Sequence, residues 1–474
     1  MDSLMLSPLQ LHLRLLPLPN PFVGTRKNPN EFRRIGKSWC FPLAGNGNRF
    51  VVSSPLRSWS RLAYSTTATA RHKPCSRYAV LGAGFSGMSV AWHLLKQGSK
   101  ETRLCIDIYD DAGIGGGASG ASGGLLHPYS PKAKLLWKGA ECWSECLDLL
   151  VTASRVAEAR SSEEVFQYSF TDISEQFVWQ RGIVRPASEK NADILRENAQ
   201  SFLESCYLEL LDRNAAQSLV PDLFVPVDLA IYMPLAMNIH PKRYLQALFL
   251  ACNELAEHEE NEIYLFKESI NNLEQLSEEY DAVIICLGAQ VNKLPELSGK
   301  LPLRTCRGVV AQLHLPTDLS EEYHHQRPAI LSDAWLAFRE PRNVFIGSTW
   351  DWNSTNYSSS VSKEEASKAM EELLPKAATA YPPVQSWSFV GAQAGLRAMP
   401  PLTPYGSLPL LGCVNGLLGE TAKSMYWLIG GLGSRGLLYH GLVGKLTAQA
   451  VLSSNEDVLP SEFTSWKNGI KMNY

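Results

Sequence analysis

The feature that most constrains this fold is a glycine-rich turn between a short apolar strand and a helix. Residues 78–81 are predicted to be a strand, residues 88–97 have helical character, and residues 104–109 are predicted to be a second strand that ends at Asp110. The turn itself reads Gly82, Ala83, Gly84, Phe85, Ser86, Gly87. This order of strand, glycine turn, helix, strand and acid is typical of a nucleotide-binding unit.

Each part of the unit has a physical reason. Gly82 permits the tight turn, Gly84 lets the backbone approach a pyrophosphate, and Gly87 lets helix and strand pack closely. The N terminus of the helix then presents free N–H groups to the phosphates. Asp110 can accept hydrogen bonds from ribose hydroxyls, which disfavours a 2′-phosphate. The motif alone does not choose between NAD and FAD.

A run of small residues follows at 115–124 and ends in two leucines, His127 and Pro128. Such a run has almost no side chains to pack, so we expect its backbone to approach a ligand closely. The alternative is a flexible linker, but the leucines and the rigid proline at its end argue against it.

The glycine turn and the small-residue run, together with three later segments, resemble the FAD-dependent D-amino acid oxidase-like superfamily. This superfamily includes glycine oxidase and sarcosine oxidase. Residues 280–289 resemble the strand at which the family's nucleotide domain resumes. Residues 395–412 resemble its G-L-R-P…T-P-D-G segment, and residues 430–437 resemble the C-terminal loop that crosses the flavin. The resemblance spans residues 77–455 in the family's order, which is more specific than any one motif.

The resemblance implies an α/β fold with an FAD-binding Rossmann-type, two-dinucleotide-binding domain. This domain is discontinuous, and an α+β substrate domain is inserted in it. The expected boundaries are 1–75 for a transit or disordered segment, 76–130, 236–300 and 401–474 for the FAD-binding domain, and 131–235 and 301–400 for the substrate domain.

The resemblance also implies the site residues. Besides the turn and Asp110, the residues expected to contact FAD are Gly117, Ala118, Ser119, Gly124, Leu125, Leu126, Gly431, Gly433, Ser434, Arg435, Gly436 and Leu437. Arg397 is the candidate anchor for a substrate carboxylate, with a structural salt bridge as the alternative. Arg435 would stabilise negative charge on the flavin or, alternatively, pack against a helix terminus.

The implied activity is oxidation of a C–N bond in an amine or amino-acid-like substrate. Residues 117–128 and 433–437 most resemble the FAD domain of the bacterial MnmC proteins, which removes the carboxymethyl group from carboxymethylaminomethyl-uridine at the tRNA wobble position. A modified tRNA is therefore one expected partner. The alternatives are a small-molecule glycine, sarcosine or D-amino-acid-type oxidase, and a flavin-binding assembly factor without turnover.

The sequence departs from the MnmC pattern at several points. A transit-like segment stands where the bacterial proteins usually carry a methyltransferase domain. Tyr405 stands where many relatives have Asp, and Ala121 and Ser122 replace a common Asn-Arg pair. These departures bear on the substrate rather than on the flavin.

The first 75 residues carry eleven Lys and Arg residues against Asp2 and Glu31. This composition is typical of an organelle transit peptide, with a disordered basic tail as the alternative. Several prolines weaken an amphipathic helix there, so a chloroplast is expected before a mitochondrion. Arg14 and the prolines interrupt every apolar run, so no membrane span is expected.

The rest of the chain carries an excess of acidic residues, which gives no global electrostatic case for nucleic acid. Its cysteines are scattered without a Cys-x-x-Cys pair, so no metal site is expected. Trp350, Trp352 and Tyr357 could stack a base, although core or interface packing is the more common use. His127 and His240 receive no role.

Secondary structure outside the motifs is expected to be mixed. Residues 133–154, 189–213 and 363–374 are predicted to be helical, and residues 163–185 are predicted to contain strands. Residues 309–315 and 343–350 are predicted to belong to the substrate-domain sheet.

Overall fold

A six-stranded sheet forms the nucleotide-binding half of the fold. The computed structural model describes residues 73–161, 176–276, 278–316, 327–340, 342–419 and 424–468. Five strands of this sheet are parallel and the edge strand β18 is antiparallel. In spatial order the strands are β18 (Leu410–Cys413), β19 (Met425–Gly430), β10 (Ala282–Ile285), β1 (Cys75–Leu81), β2 (Arg103–Tyr109) and β9 (Glu262–Phe266). Nearly continuous apolar runs such as β10 suit strands buried on both faces.

Four helices pack with one another beside this sheet. The helices at 85–97 and 436–453 approach each other closely, because a Cβ on Gly444 of the second would collide with Ser89 of the first. His240 caps another of them, because its Nδ1 accepts a hydrogen bond from Arg243 N–H (3.3 Å) and Pro241 begins the helix. The four helices are α1 (Phe85–Gln97), α2 (Gly139–Ser161), α5 (Pro241–His258) and α8 (Gly436–Ser453).

An eight-stranded mixed sheet forms the second half. Its strands in spatial order are β15 (Ser388–Met399), β11 (Arg304–His314), β14 (Asn343–Gly347), β13 (Trp335–Glu340), β12 (Ala329–Ile330), β5 (Ile183–Pro186), β7 (Ala230–Met233) and β6 (Glu209–Leu211). Helix α6 (Lys363–Ala380) buries Leu373 against this sheet, in a core that includes Leu336 and Ile346.

The remaining elements are short. A three-stranded sheet contains β3 (Leu125–Leu126), β8 (Met237–Ile239) and β4 (Val178–Trp179), and β16 (Leu402–Thr403) pairs with β17 (Gly406–Ser407). The short α-helices are α3 (Ala192–Asn198), α4 (Arg213–Leu219), α7 (Asn415–Leu418) and α9 (Ser461–Thr464). The 3-10 helices are Leu273–Leu276, Gly288–Lys293, Pro382–Ser386, Gly433–Arg435, Glu456–Val458 and Ser465–Asn468. Within the described ranges, no helix combines the length and hydropathy that a membrane crossing needs.

The predicted α/β class with a Rossmann-type parallel sheet is confirmed. The parallel sheet is assembled from three separate stretches of chain, and the eight-stranded sheet from two stretches between them. Helix α2 falls in the stretch assigned to the substrate domain, yet it packs against α5 and α8 of the nucleotide-binding half. Strand β1 begins at Cys75, the last residue of the stretch assigned to the leader.

Two helix predictions are corrected. The chain between 189 and 213 is not one helix: α3 ends at Asn198 and β6 follows. The Tyr129 hydroxyl accepts a hydrogen bond from Leu203 N–H (2.9 Å) and donates one to Cys206 O (2.5 Å), which diverts these backbone groups from helical pairing. Helix α2 begins at Gly139 rather than at 133, because Ala133 and Lys138 have positive φ angles. Residues 162–175, part of a predicted strand region, lie outside the described residues, as do residues 1–72.

A buried arginine on β11 ties the eight-stranded sheet to the chain that follows β14. The Arg307 guanidinium is almost fully buried and contacts both carboxylate oxygens of Glu365 on α6 (2.6 and 3.1 Å). It also donates to the carbonyl oxygens of Asn356, Ser358 and Ser360, at 2.6 to 3.0 Å. This guanidinium therefore holds residues 356–360 against the sheet.

We expect Arg307→Met to lower the free energy of unfolding by about 3 kcal/mol, because it leaves a carboxylate and several carbonyls without their donor. Thermal or denaturant unfolding would measure the loss. The matched control is Arg196→Met, which removes an exposed ion pair with Asp193 and should change stability by less than about 0.5 kcal/mol. Equal effects for the two variants would contradict this role of Arg307.

Candidate active site

The glycine turn between β1 and α1 has no room for side chains. Gly82 has a φ of +106°, and a Cβ there would lie 2.5 Å from Cys286 O on the neighbouring chain. A Cβ on Gly87 would collide with Gly82 O, and one on Gly84 would lie 2.8 Å from Ser119 Oγ. The turn therefore brings the N terminus of α1 to the wall of a cavity.

Helix α1 presents its first N–H groups to that cavity. Its N-cap is Gly84, which has no side chain to cap them, and no acidic residue lies in its first turn. Phe85 N–H donates to Ser119 Oγ (3.1 Å). An uncapped helix N terminus of this kind favours an anion. The turn residues that line the cavity are Gly82, Gly84, Phe85 and Ser86, whereas Ala83 and Gly87 pack behind them.

Asp110 lines the same cavity beyond the end of β2. Its Oδ2 accepts a hydrogen bond from Ala83 N–H (2.7 Å) and its Oδ1 accepts one from Ala112 N–H (3.0 Å). Burial raises the pKa of this carboxyl, and the donated N–H bonds oppose that rise. Each oxygen retains a lone pair for a further donor, as a ribose hydroxyl requires.

The small-residue run forms a second wall. Strand β15 packs directly on it, because a Cβ on Gly395 would lie 2.6 Å from Ala118 Cα. Gly124 has a φ of +68°, and a Cβ there would collide with Ile239 O. The cavity-lining residues of the run are Gly117, Ala118, Ser119, Ala121, Ser122, Gly123, Gly124, Leu125 and His127, while Leu126 is buried behind them.

A buried arginine that the sequence did not single out holds this run. Arg339 Nη2 donates to the carbonyl oxygens of Ser122 (3.1 Å) and Gly123 (2.5 Å), and its Nε donates to Asn238 Oδ1 (3.3 Å). Burial lowers the pKa of Arg339 to about 9. The only sequence signal was an Arg that follows four apolar residues in strand β13.

The C-terminal loop brings a second helix N terminus to the cavity. Gly431 and Gly433 have φ angles of +66° and +55°. Arg435 is the N-cap of α8, without a capping side-chain hydrogen bond, and no acid lies in the first turn. The lining residues of this loop include Gly431, Gly433, Ser434, Arg435, Gly436 and Leu437, the residues predicted from the sequence.

The eight-stranded sheet closes the cavity, whose volume is about 610 Å³. The Trp335 ring lies against Gly123 and Gly347, where a Cβ on either glycine would come within 2.5 Å of it. Arg185 of β5 and Arg397 of β15 also line the cavity. The volume falls in the range of ligand-binding pockets.

Arg397 presents an unpaired edge in this cavity. Its Nη2 donates to Ser348 Oγ (2.6 Å) and Thr349 O (3.3 Å), and its guanidinium lies 4.4 Å from the Trp350 ring centroid. Its Nη1 is buried and has no partner in the described part of the chain. Arg397 forms no ion pair with a carboxylate among those residues, so the salt-bridge alternative has no partner there. Burial lowers its pKa. A buried unpaired N–H fits a carboxylate ligand.

His127, Arg185 and Arg435 also line the cavity. Neither Arg185 nor Arg435 makes a side-chain hydrogen bond or ion pair within the described ranges. Burial is the main cause that lowers the pKa of His127, and the two guanidiniums lower it further. His127 is therefore neutral near pH 7. Sequence reasoning missed Arg185, whose signal was a single cation in the apolar strand β5.

The aromatic residues 350–357 form the rim of the cavity. Trp350 and Trp352 are 46% and 41% exposed and stack with ring centroids 6.0 Å apart. Arg304 lies 4.8 Å over the Trp352 ring, and Lys293 lies 4.4 Å over the Tyr357 ring. This exposure excludes core packing for the two tryptophans, and it leaves interface packing or contact with a ligand open.

Among the described residues, the histidines and cysteines form no metal centre. In the described part of the chain, no group of three or more His, Cys, Asp or Glu side chains could hold a metal ion. Most of the described cysteines are buried free thiols, and burial raises the pKa of Cys286 at the cavity wall to about 12.

These features fit a dinucleotide with an electron-accepting ring. They are the two uncapped helix N termini, the Asp110 carboxylate beyond β2 and the wall formed by the run of small residues. The fold and site thus define a dinucleotide-binding redox protein with a separate substrate sheet. Residues 77–450 match the model of the family DAO, FAD dependent oxidoreductase. The chain belongs to this family and is an FAD-dependent oxidoreductase.

Solved structures share the fold at low sequence identity. Glycine oxidase from Geobacillus kaustophilus is 17% identical, with a TM-score of 0.59 over 82% of this chain and 98% of that one. Iminodiacetate oxidase from Chelativorans sp. BNC1 is 18% identical, with a TM-score of 0.58 over the same shares. L-proline dehydrogenase from P. horikoshii is 14% identical, with a TM-score of 0.60 over 84% and 98%. No curated protein sequence matches the chain.

We expect Gly84→Val to weaken FAD binding by at least about tenfold, or ~1.4 kcal/mol, because the new side chain meets Ser119 and fills the approach to the α1 N terminus. Titration of apoprotein with FAD would measure it. The control is Gly391→Ala, since a Cβ at Gly391 meets nothing within 4 Å. Full FAD occupancy in Gly84→Val would show that the glycine serves only the turn.

Proposed function

We propose that this enzyme oxidises the C–N bond of a secondary amine that carries a carboxymethyl arm. The observation that carries the proposal is the buried, unpaired Nη1 of Arg397 in the cavity. A guanidinium binds a carboxylate through two parallel N–H bonds, which fixes orientation as well as position. Because Ser348 and Trp350 already hold this side chain, little rotamer entropy is lost on binding.

The residues around Arg397 define how the reaction would proceed. Bound FAD would accept the hydride that leaves the carbon next to nitrogen. Arg397 holds the carboxylate, and Trp335 and the glycine-rich wall exclude water from the reacting bond. The N terminus of α8 and Arg435 would stabilise negative charge that develops beside them. No general base is required if the amine binds in its neutral form.

The preferred substrate is a carboxymethylaminomethyl-uridine of an organellar tRNA. The resemblance of residues 117–128 and 433–437 to the MnmC flavin domain supports it. So does the exposed pair of stacked tryptophans at the rim, with Arg304 beside it, since aromatic rings stack unpaired bases and cations contact phosphates. The acidic composition of the body restricts any RNA contact to such a local surface.

A small-molecule amine or amino acid is the second candidate. The similarity of the fold to glycine oxidase favours it, and nothing in the cavity requires a polymer. Anaerobic bleaching of the bound flavin with glycine, sarcosine, D-amino acids and modified tRNA in turn separates the two candidates. If none of these reduces the flavin, the protein would be a flavin-binding assembly factor instead.

A variant at the rim of the cavity separates the tRNA substrate from the small-molecule substrate more directly. Trp352 does not line the cavity, so Trp352→Ala should leave oxidation of a small N-carboxymethyl amine unchanged. The same variant should weaken the binding of a tRNA substrate by about 1–3 kcal/mol, which is the contribution of one stacked base. Steady-state KM values for both substrates would measure this difference. An unchanged KM for tRNA would remove the rim from the RNA contact.

We also propose that residues 1–75 direct the chain to a chloroplast. The support is their excess of Arg and Lys and their prolines. A fusion of these residues to a fluorescent reporter should be imported and shortened. A reporter that stays in the cytosol would contradict the proposal, and import into mitochondria would select the alternative organelle.

We expect Arg397→Met to lower kcat/KM for a substrate with a carboxylate by a factor equivalent to about 2–4 kcal/mol. The FAD content should stay unchanged. An analogue without the carboxylate should lose far less. Gly308→Ala should weaken the carboxylate substrate in the same way, because its Cβ would collide with Arg397 Nη2. Equal losses for both substrates, or loss of flavin, would mean that Arg397 is structural.

A further inference from the structure

We propose that Arg339 is a positioning residue for the flavin, because it sets the direction of two peptide groups in the run of small residues. By binding the carbonyl oxygens of Ser122 and Gly123, it turns the N–H groups of Gly123 and Gly124 into the cavity. There these N–H groups stabilise the charge that the flavin ring gains on reduction. They act on FAD, whichever amine the enzyme oxidises.

The geometry of a trans peptide links each carbonyl to the N–H that follows it. The C=O and the N–H of one planar peptide unit point in opposite directions. Arg339 Nη2 donates to Ser122 O (3.1 Å) and to Gly123 O (2.5 Å). Arg339 is buried and does not line the cavity, whereas Gly123 and Gly124 do. The N–H groups of these two glycines therefore point away from the guanidinium, toward the cavity.

These N–H groups have no acceptor in the described part of the chain. Neither Gly123 N–H nor Gly124 N–H forms a hydrogen bond there. The Oγ of the adjacent Ser122 is also buried without a partner among the same residues, and Ser122 lines the cavity. Because buried polar groups in proteins are nearly always paired, these successive donors indicate a ligand that accepts hydrogen bonds.

The run of small residues leads from the N terminus of α1 to the eight-stranded sheet. Near its start, Ser119 Oγ accepts a hydrogen bond from Phe85 N–H (3.1 Å), where the helix N terminus suits a diphosphate. Further along the run, Gly123 lies against the Trp335 ring of β13. The reacting ring of the cofactor has to meet the substrate. The stretch at 123–124 therefore suits the flavin ring rather than the diphosphate.

Other contacts fix the guanidinium that orients this stretch. Its Nε donates to Asn238 Oδ1 (3.3 Å), and it lies 4.5 Å from the Phe345 ring centroid. Side chains alternate along β13, so Arg339 and Trp335 share one face, and Phe338 packs in the core on the other. Arg339 is therefore a fixed donor, to which the two carbonyl groups of the run are oriented.

The charge of the reduced flavin explains the effect of these donors. A hydride consists of two electrons and one proton, so its transfer leaves one negative charge on a neutral ring. Peptide N–H groups that are fixed before the reaction stabilise such a charge without reorganisation. They bind the reduced ring more tightly than the oxidised ring, and this difference raises the reduction potential of the flavin.

The test measures the reduction potential of the FAD-loaded full chain by equilibration with reference dyes, without any amine. Arg339→Met removes the donor and should lower the affinity for reduced FAD, relative to oxidised FAD, by at least about tenfold. This change equals about 30 mV for a two-electron couple. Arg339→Lys keeps a charged donor and should restore part of the potential. The matched control is Arg342→Met, which removes a contact with Pro316 O (3.2 Å) outside the cavity and should leave the potential unchanged.

A variant of Asn238 separates the orientation of the peptide groups from the charge of the guanidinium. Asn238→Asp places a negative charge beside Arg339 but keeps the acceptor for its Nε. It should lower the potential less than Arg339→Met does, because the contacts with the two carbonyl oxygens remain. An equal decrease would mean that Arg339 acts through its charge alone, and this result would overturn the proposal. So would an unchanged potential in Arg339→Met.

Two milder variants decide the question if Arg339→Met takes up no FAD. Ser122→Ala removes the unpartnered hydroxyl and should lower the relative affinity for reduced FAD by about threefold, or roughly 15 mV. Arg339→Lys should also lie below the unsubstituted protein. An unchanged potential in both variants would exclude this role of Arg339. Because no amine is present, failure of the proposed C–N oxidation would leave these measurements unaffected.

Discussion

Backbone-to-backbone packing at the glycine turn determines where every other part of the cavity lies. The chain at Gly82 meets Cys286 O beyond β10, and Gly87 meets Gly82 O, with no side chain between them. This contact locks α1 to the parallel sheet with its uncapped N terminus at the cavity. Phe85, in the first turn, lies beside Gly436, so the N termini of α1 and α8 line the same cavity.

The two sheets supply different kinds of group. The parallel half contributes backbone N–H groups at helix termini, which suit a diphosphate and an electron-rich ring. The eight-stranded half contributes side chains, above all Arg397 and Arg185. Arg339 joins the halves, because it belongs to β13 and binds the carbonyl oxygens of the glycine-rich run. Arg339, which is buried outside the cavity, therefore fixes the glycine-rich wall relative to the eight-stranded sheet.

Charge is unevenly distributed in this protein. The body is acidic overall, yet arginines without ion-pair partners among the described residues line the cavity, and the first turns of both helices that open on it lack acids. Asp110, Asp111, Glu268 and Asp333 line the cavity as well, so the positive charge is local to the guanidiniums. The stacked tryptophans at the rim add a surface suited to a planar group. The chemistry that these features favour is therefore that of an anionic amine.

The sequence by itself determined the nucleotide unit, the fold class and the glycine-rich loops, because turns, helix starts and close approaches depend on residues adjacent in the chain. It did not determine Arg185 or Arg339, whose roles arise only when β5 and β13 join strands far away in sequence. It also predicted a helix over 189–213, where the Tyr129 hydroxyl takes the backbone hydrogen bonds instead. Contacts between residues far apart in sequence decided the places of Arg185 and Arg339 and the structure of residues 189–213. The sequence alone does not show which charged side chains will lie beside a ligand cavity.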